Sequence, residues 1–130
     1  MKFIQGDACA LPADLGQFGM VLAANLLCRL PKPRLFLDRL ASLVVPGGYV
    51  VMPSPYTWLE EFTPKSEWIG GYYASDGSAV STFSALQGML GTHFDLVHDK
   101  NMPFFIRETA RKNQWSVAHL TVWRRKLDSA

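Results

Sequence analysis

The run Pro46-Gly47-Gly48-Tyr49-Val50-Val51-Met52-Pro53-Ser54-Pro55 constrains this 130-residue chain more than any other stretch. Tyr49 to Met52 is short, apolar and partly β-branched, which reads as a buried strand. Gly47 and Gly48 allow a sharp turn into it, and the prolines at 53 and 55 end regular pairing. Ligands of an open parallel sheet collect just beyond the carboxyl ends of its strands. Chemistry is therefore expected between Pro53 and Trp68, a polar segment rich in aromatics.

The residues before this strand predict its partners. Pro33 to Leu43 reads as a helix with proline in its tolerated first turn. Phe36, Leu40 and Leu43 form an apolar stripe on it, widened by Leu37 and Val44. Met20 to Ala24 is a short apolar strand candidate with Asn25 at its end, so strand, helix and strand make a βαβ unit. Leu26 to Leu30 is an apolar turn or short helix. Lys2 to Gln5 is a further short strand candidate, followed by Gly6-Asp7-Ala8, where Asp7 either forms a turn or faces a ligand.

Downstream, Gly70-Gly71 and the polar run Ala74 to Gly77 suggest a mobile loop. Thr82 caps a helix over Phe83 to Leu90 that ends at Gly91. Phe94 to His98 is a fourth strand, and Trp115 to Trp123 is the last. The last strand is largely apolar on both faces, which places it inside the sheet. With no long crossover helix between them, these two are expected to form an antiparallel pair closing a mostly parallel sheet. The class is α/β, in one domain.

Composition excludes several functions. A formal charge of +2 is too small to argue for a nucleic-acid partner. No run approaches the roughly 20 apolar residues of a membrane span. The start, Met-Lys-Phe-Ile-Gln-Gly-Asp, lacks the pattern of a signal peptide, so a cytoplasmic location is expected. Cys9 and Cys28 have neither disulfide-framework nor metal-binding spacing, and His93, His98 and His119 form no metal pair. No metal is assigned.

The order Gly6-Asp7-Ala8, Leu11-Pro12, Met20 to Leu27, a helix, and Pro46 to Tyr56 resembles the second half of a class I S-adenosylmethionine-dependent methyltransferase. The stretches Ser54 to Pro64, Trp68 to Gly71 and Met102 to Arg125 are similar to the carboxyl-terminal methyltransferase domain of the ovothiol-biosynthesis enzyme, a 4-mercaptohistidine N1-methyltransferase. The resemblance implies a partial Rossmann-like sheet lacking the family's first two strands, with an antiparallel terminal pair. It divides the chain into a cofactor-side portion, residues 1–56, and an acceptor-side portion, residues 57–130. The family's glycine-rich cofactor loop has no counterpart in the 130 residues. A fragment, a missing N-terminal half or a homo-oligomer is expected, since two absent central strands leave an apolar edge open.

The same resemblance implies roles. S-adenosylmethionine is the implied cofactor, with Asp7 near the adenine amino group, the backbone of Ala8 beside the ring, and Asn25 at the mouth where cofactor and acceptor meet. Tyr56 and Asn25 are the implied catalytic pair. A small amino-acid acceptor is expected against Ser54, Tyr56, Trp58 and Glu61, with Arg107, Glu108 and Arg111 binding its charged ends. If the Arg107–Arg111 turn is helical, its two arginines are i,i+4 neighbours that need an anion. His119 reads either as a satisfied core histidine or as a base, and Trp68 with Gly70-Gly71 as a lid. The competing reading is a non-catalytic binding or assembly module.

Overall fold

A computed structural model describes residues 1–128. Its main sheet has four strands in the order β1-β2-β6-β5: β1 is Phe18–Leu22, β2 Val44–Ser54, β5 Phe94–Thr109 and β6 Lys112–Arg125. β1 and β2 are parallel, β2 and β6 antiparallel, and β6 and β5 antiparallel. Helix α1, Pro33–Leu43, connects β1 to β2 with the bounds the sequence predicts. Helix α2, Thr82–Leu90, precedes β5. A small hairpin, β3 (Tyr72–Tyr73) with β4 (Ala79–Val80), lies between β2 and α2.

The core forms where the apolar stripes meet one face of the sheet. Phe36, Leu37, Leu40 and Leu43 of α1 and Leu86 and Leu90 of α2 are buried in one cluster with Val50, Met52 and Trp123. Each such side chain contributes about 1.5–3 kcal/mol on burial. Polar atoms inside are satisfied: Thr121 Oγ1 donates to the Met52 carbonyl (3.2 Å) and accepts from the Trp123 indole (2.9 Å). Alternation sends Met20, Leu22 and Tyr49 to the other face, where they are 61%, 64% and 40% exposed.

Several expectations are corrected. Lys2 to Gln5 is exposed and forms no strand, because an extended segment with no partner gains no ladder bonds. The sheet therefore contains a single parallel pair rather than being mostly parallel. β1 begins two residues earlier than Met20, although the ladder continues past its end as Ala23 N–H donates to Val51 O (2.9 Å). β2 starts at Val44, ahead of the Pro-Gly-Gly turn, with an irregularity in register opposite Phe18 and Met20. Ser81, not Thr82, caps α2, its hydroxyl accepting from Ser84 N–H (3.2 Å). Ala74 to Gly77 is the connection of the β3–β4 hairpin. β5 runs through the apolar Met102 to Ile106 and ends at Thr109, since β6 pairs with it along almost its whole length.

That long pairing has a spatial consequence. β2 leaves the sheet at Ser54, opposite His119, while β5 and β6 continue together to a turn at Ala110–Arg111. The β5–β6 hairpin thus projects past the carboxyl end of β2 as an arm. Among the described residues no helix is long and apolar enough to cross a membrane.

Gly48 is required by close approach. A Cβ there would stand 2.7 Å from Gly19 O and 2.8 Å from Val44 Cγ1, both held by the β1–β2 pairing. Gly48→Ala should lower stability by about 1–3 kcal/mol, read from the midpoint of a urea unfolding curve, with an unchanged slope.

Candidate active site at the carboxyl edge of the sheet

Parallel strands end side by side, and β1 and β2 both end in strained backbone. Asn25, three residues past β1, has φ 53°, and Tyr56, two past β2, has φ 55°. Asparagine tolerates the left-handed region, but a tyrosine there is a true outlier, at a cost of about 1–3 kcal/mol. Surrounding bonds hold both. Asn25 N–H donates to the Pro53 carbonyl (2.8 Å), and Tyr56 N–H donates to Ser54 Oγ (3.2 Å). Ser54 is itself buried and its hydroxyl points to Cys28 Sγ (3.8 Å).

The turn at Tyr56 aims its ring across the sheet at β6. Tyr56 Oη lies 2.8 Å from His119 Nδ1, and His119 Nε2 lies 2.9 Å from Asp99 Oδ2. A carboxylate only accepts, so Nε2 carries a proton toward Asp99. In the neutral imidazole Nδ1 is then bare and accepts the Tyr56 O–H. Phe83 of α2 packs edge-on against the imidazole with centroids 4.8 Å apart, and Tyr56 meets it similarly at 5.6 Å. Burial, and secondarily the charge of Asp99, pushes the Tyr56 phenol well above its ordinary range. The phenol is neutral at physiological pH. Its oxygen keeps lone pairs after donating to His119, so it can accept a hydrogen bond while His119 takes up a proton.

At the same edge of the sheet, but lined by none of the three relay residues, the arm and the strand ends enclose a cleft of about 220 Å³. Asn25, Cys28, Arg29 and Thr57 form one wall, and Phe104 and Gln114 belong to the other. This is below the roughly 300–1,000 Å³ of drug-sized sites and suits a small molecule. Arg29 is already committed: its guanidinium donates to Thr57 O (2.8 Å) and lies 4.7 Å from the Phe62 ring.

The other predicted residues fall into three places. Trp58 is core, its indole donating to Thr82 Oγ1 (2.9 Å), and Glu61 is exposed. Arg107, Glu108 and Arg111 sit at the tip of the arm. The turn there is a β-turn rather than a helix, so the arginines are not i,i+4 helical neighbours. Glu108 pairs with Lys112 (3.0 Å) and accepts from Gln114. Asp7 closes a turn, its carboxylate accepting from Cys9 N–H (2.9 Å), and Cys9 Sγ reaches Lys32 O (3.5 Å) just before α1.

Sequence reasoning missed Asp99 and left His119 undecided. Asp99 sits in an exposed polar stretch, Val97-His98-Asp99-Lys100-Asn101, with no local mark of function. Only the β5–β6 register, which sets Asp99 against Thr121 and Asn101 against His119, brings the pair within reach.

The two side chains expected at the adenine end of S-adenosylmethionine, Asp7 and Asn25, are open to solvent. Asp7 keeps one carboxylate oxygen beyond its turn bond. The 130 residues supply no glycine-rich cradle for the methionine end.

Residues 1–52 match the family model described as a methyltransferase domain. No curated protein matches the chain. Solved structures share its fold. A SAM-dependent methyltransferase from Methanosarcina mazei has 15% identity and a TM-score of 0.62, covering 95% of this chain and 66% of its own. A protein of echinomycin biosynthesis, where a disulfide bond is converted into a thioacetal group, has 16% identity and a TM-score of 0.61, covering 96% and 56%. The N-methyltransferase NodS from Bradyrhizobium japonicum, in complex with S-adenosyl-L-homocysteine, has 14% identity and a TM-score of 0.52, covering 92% and 52%. At these identities the likeness is one of fold, a methyltransferase-type α/β architecture. The chain spans from about half to just under two thirds of the length of these three structures.

The raised phenol fixes a pH dependence. Unfolded tyrosine titrates near pH 10; above that the unfolded chain loses a proton that folded Tyr56 retains, so stability falls as pH rises. Tyr56→Phe should remove this contribution to the alkaline slope, while costing about 1 kcal/mol at neutral pH from the lost hydrogen bond. Urea unfolding between pH 8 and about pH 11 checks both; an unaltered slope would contradict the assignment.

Proposed function

We propose that this chain provides the acceptor side of a cytoplasmic S-adenosylmethionine-dependent N-methyltransferase. Its substrate is the imidazole ring of a small mercaptohistidine-like amino acid, as in ovothiol biosynthesis. The observation that carries this reading is the Tyr56–His119–Asp99 hydrogen-bond chain at the strand ends. The match to a methyltransferase domain over residues 1–52, the shared fold, and the likeness of the aromatic turn and arm to the mercaptohistidine enzyme support it.

When bound, the cofactor supplies an electrophilic methyl group. The chain's own residues orient and deprotonate the acceptor. Asp7, Ala8 and Asn25 would hold the adenine end of the cofactor. Tyr56 Oη accepts a hydrogen bond from the acceptor ring N–H, which leaves the other ring nitrogen unprotonated and positioned to attack. As that ring becomes cationic, its N–H proton passes to Tyr56 Oη while the phenol's own proton moves to His119 Nδ1. Asp99 stabilises the resulting imidazolium. Trp58 holds the turn from inside the core, and Ser54 fixes the Tyr56 backbone. Arg107, Glu108 and Arg111 sit at the arm's tip, Arg107 opposite Asn113 and so six β6 residues, about 20 Å, from His119. That is too far to hold the charged ends of an acceptor whose ring meets Tyr56, and leaves Glu61 as the candidate for its ammonium.

A second reading, an assembly module, rests on the open edge of β1 and the exposed Met20, Leu22 and Tyr49. A missing N-terminal half or a second copy of the chain would cover that surface. Under this reading the chain binds no cofactor by itself.

Incubation with S-adenosylmethionine and 4-mercaptohistidine should yield a singly methylated product by mass spectrometry. Tyr56→Phe should lower the rate about 100-fold and His119→Asn about tenfold or more. Absence of product, together with no binding of S-adenosylhomocysteine by calorimetry, would overturn an autonomous enzyme and favour the assembly reading.

A further inference from the structure

We propose that a second cleft, behind the start of α1, is a binding site for an aromatic ring carrying one anionic group. The site shares no lining residue with the cleft beside Asn25 and does not depend on the methyl-transfer reading. Its volume is about 840 Å³, and Arg34, Lys65, Ser66, Trp68, Tyr72 and Tyr73 line it. A cavity of this size falls in the range of small-molecule sites.

Charge selects the ligand's sign. Two cations and no carboxylate face the cleft. Among the described residues, neither Arg34 nor Lys65 takes part in an ion pair. Arg34 Nη1 donates to a thioether, Met89 Sδ, at 3.5 Å, and the Lys65 ammonium lies 5.8 Å from the Trp68 ring centroid. The start of α1 adds to the positive potential, for its first turn has no acidic residue and its N-cap, Lys32, makes no side-chain capping bond. A guanidinium on one element and an ammonium on another can grip one anionic group from two sides.

The aromatic residues select its shape. The Trp68 indole N–H donates to Thr63 O (2.8 Å), which fixes the ring as a wall. Tyr72 is half-buried in the β3–β4 hairpin, and Tyr73 is 78% exposed at the rim. Flat side chains beside free cations favour a flat anion over an aliphatic one. The wall depends on Gly70, at φ +87°, where a Cβ would lie 2.4 Å from Thr82 N and force the hairpin away from α2. The Trp68–Gly71 stretch, which sequence suggested as a lid, thus becomes one side of this cleft.

Titration of the ¹⁵N-labelled chain with 2-naphthoate, 2-naphthyl phosphate and the neutral 2-naphthamide tests the proposal. At least one of the anions should bind saturably and shift the Trp68 indole resonance, assigned with Trp68→Phe. The amide should bind about tenfold more weakly or worse. The tighter of the two anions identifies the preferred group. Arg34→Gln and Lys65→Gln alter exposed side chains, so both variants should fold, as circular dichroism would verify. Each should weaken the anion several-fold and leave the amide unchanged. Equal affinity for anion and amide, unaffected binding in both variants, or no shift of the Trp68 resonance would overturn the site.

Discussion

The antiparallel register of β2 against β6 is the constraint on which the rest of the structure depends. It sets Met52 opposite Thr121 and Ser54 opposite His119, on the face that also carries the core. A shift by one residue would turn His119 to the opposite face and expose Trp123. Such a slip is resisted by more than apolar burial. Thr121 bridges the Met52 carbonyl and the Trp123 indole inside the core, and a slipped register would leave those polar atoms buried without partners.

From this register the relay follows. β2 ends where His119 faces it, and the polypeptide turns at once through a left-handed tyrosine. The strain of that turn is tolerated because three interactions specify it: the Ser54 hydroxyl on the backbone, His119 on the phenol, and packing of the neighbouring Trp58 against the start of α2. The strained tyrosine at the end of one strand and the left-handed Asn25 at the end of its parallel neighbour put two uncommon backbone conformations on one edge of the sheet.

The sheet is covered unequally. One face is buried under both helices, while the other exposes Met20, Leu22 and Tyr49, and β1 has no second neighbour among the described residues. A strand edge in this state offers a template for further pairing. The relay, at the opposite side of β2, does not depend on what covers β1. The arm, by contrast, has hydrophobic residues on show, with Phe105 and Trp115 exposed by 72% and 60%.

Local signals were strong where a single element decided the outcome. Pro33, the Phe36–Leu40–Leu43 stripe and the glycine-bounded Tyr49 to Met52 run determined α1 and the centre of β2, because burial of one stripe or one short run does not require knowing the partner. The same logic placed the Trp115–Trp123 strand inside the sheet. It failed for Lys2 to Gln5, where a strand needs a neighbour to exist, and for β5, whose exposed polar half is held extended only by β6. Tyr56 stood out by its place after a strand. The partnership of Tyr56 with residues 63 and 43 positions away, His119 and Asp99, was decided by the tertiary structure alone, since hydrogen bonds reach about 3 Å in space and take no account of distance along the chain.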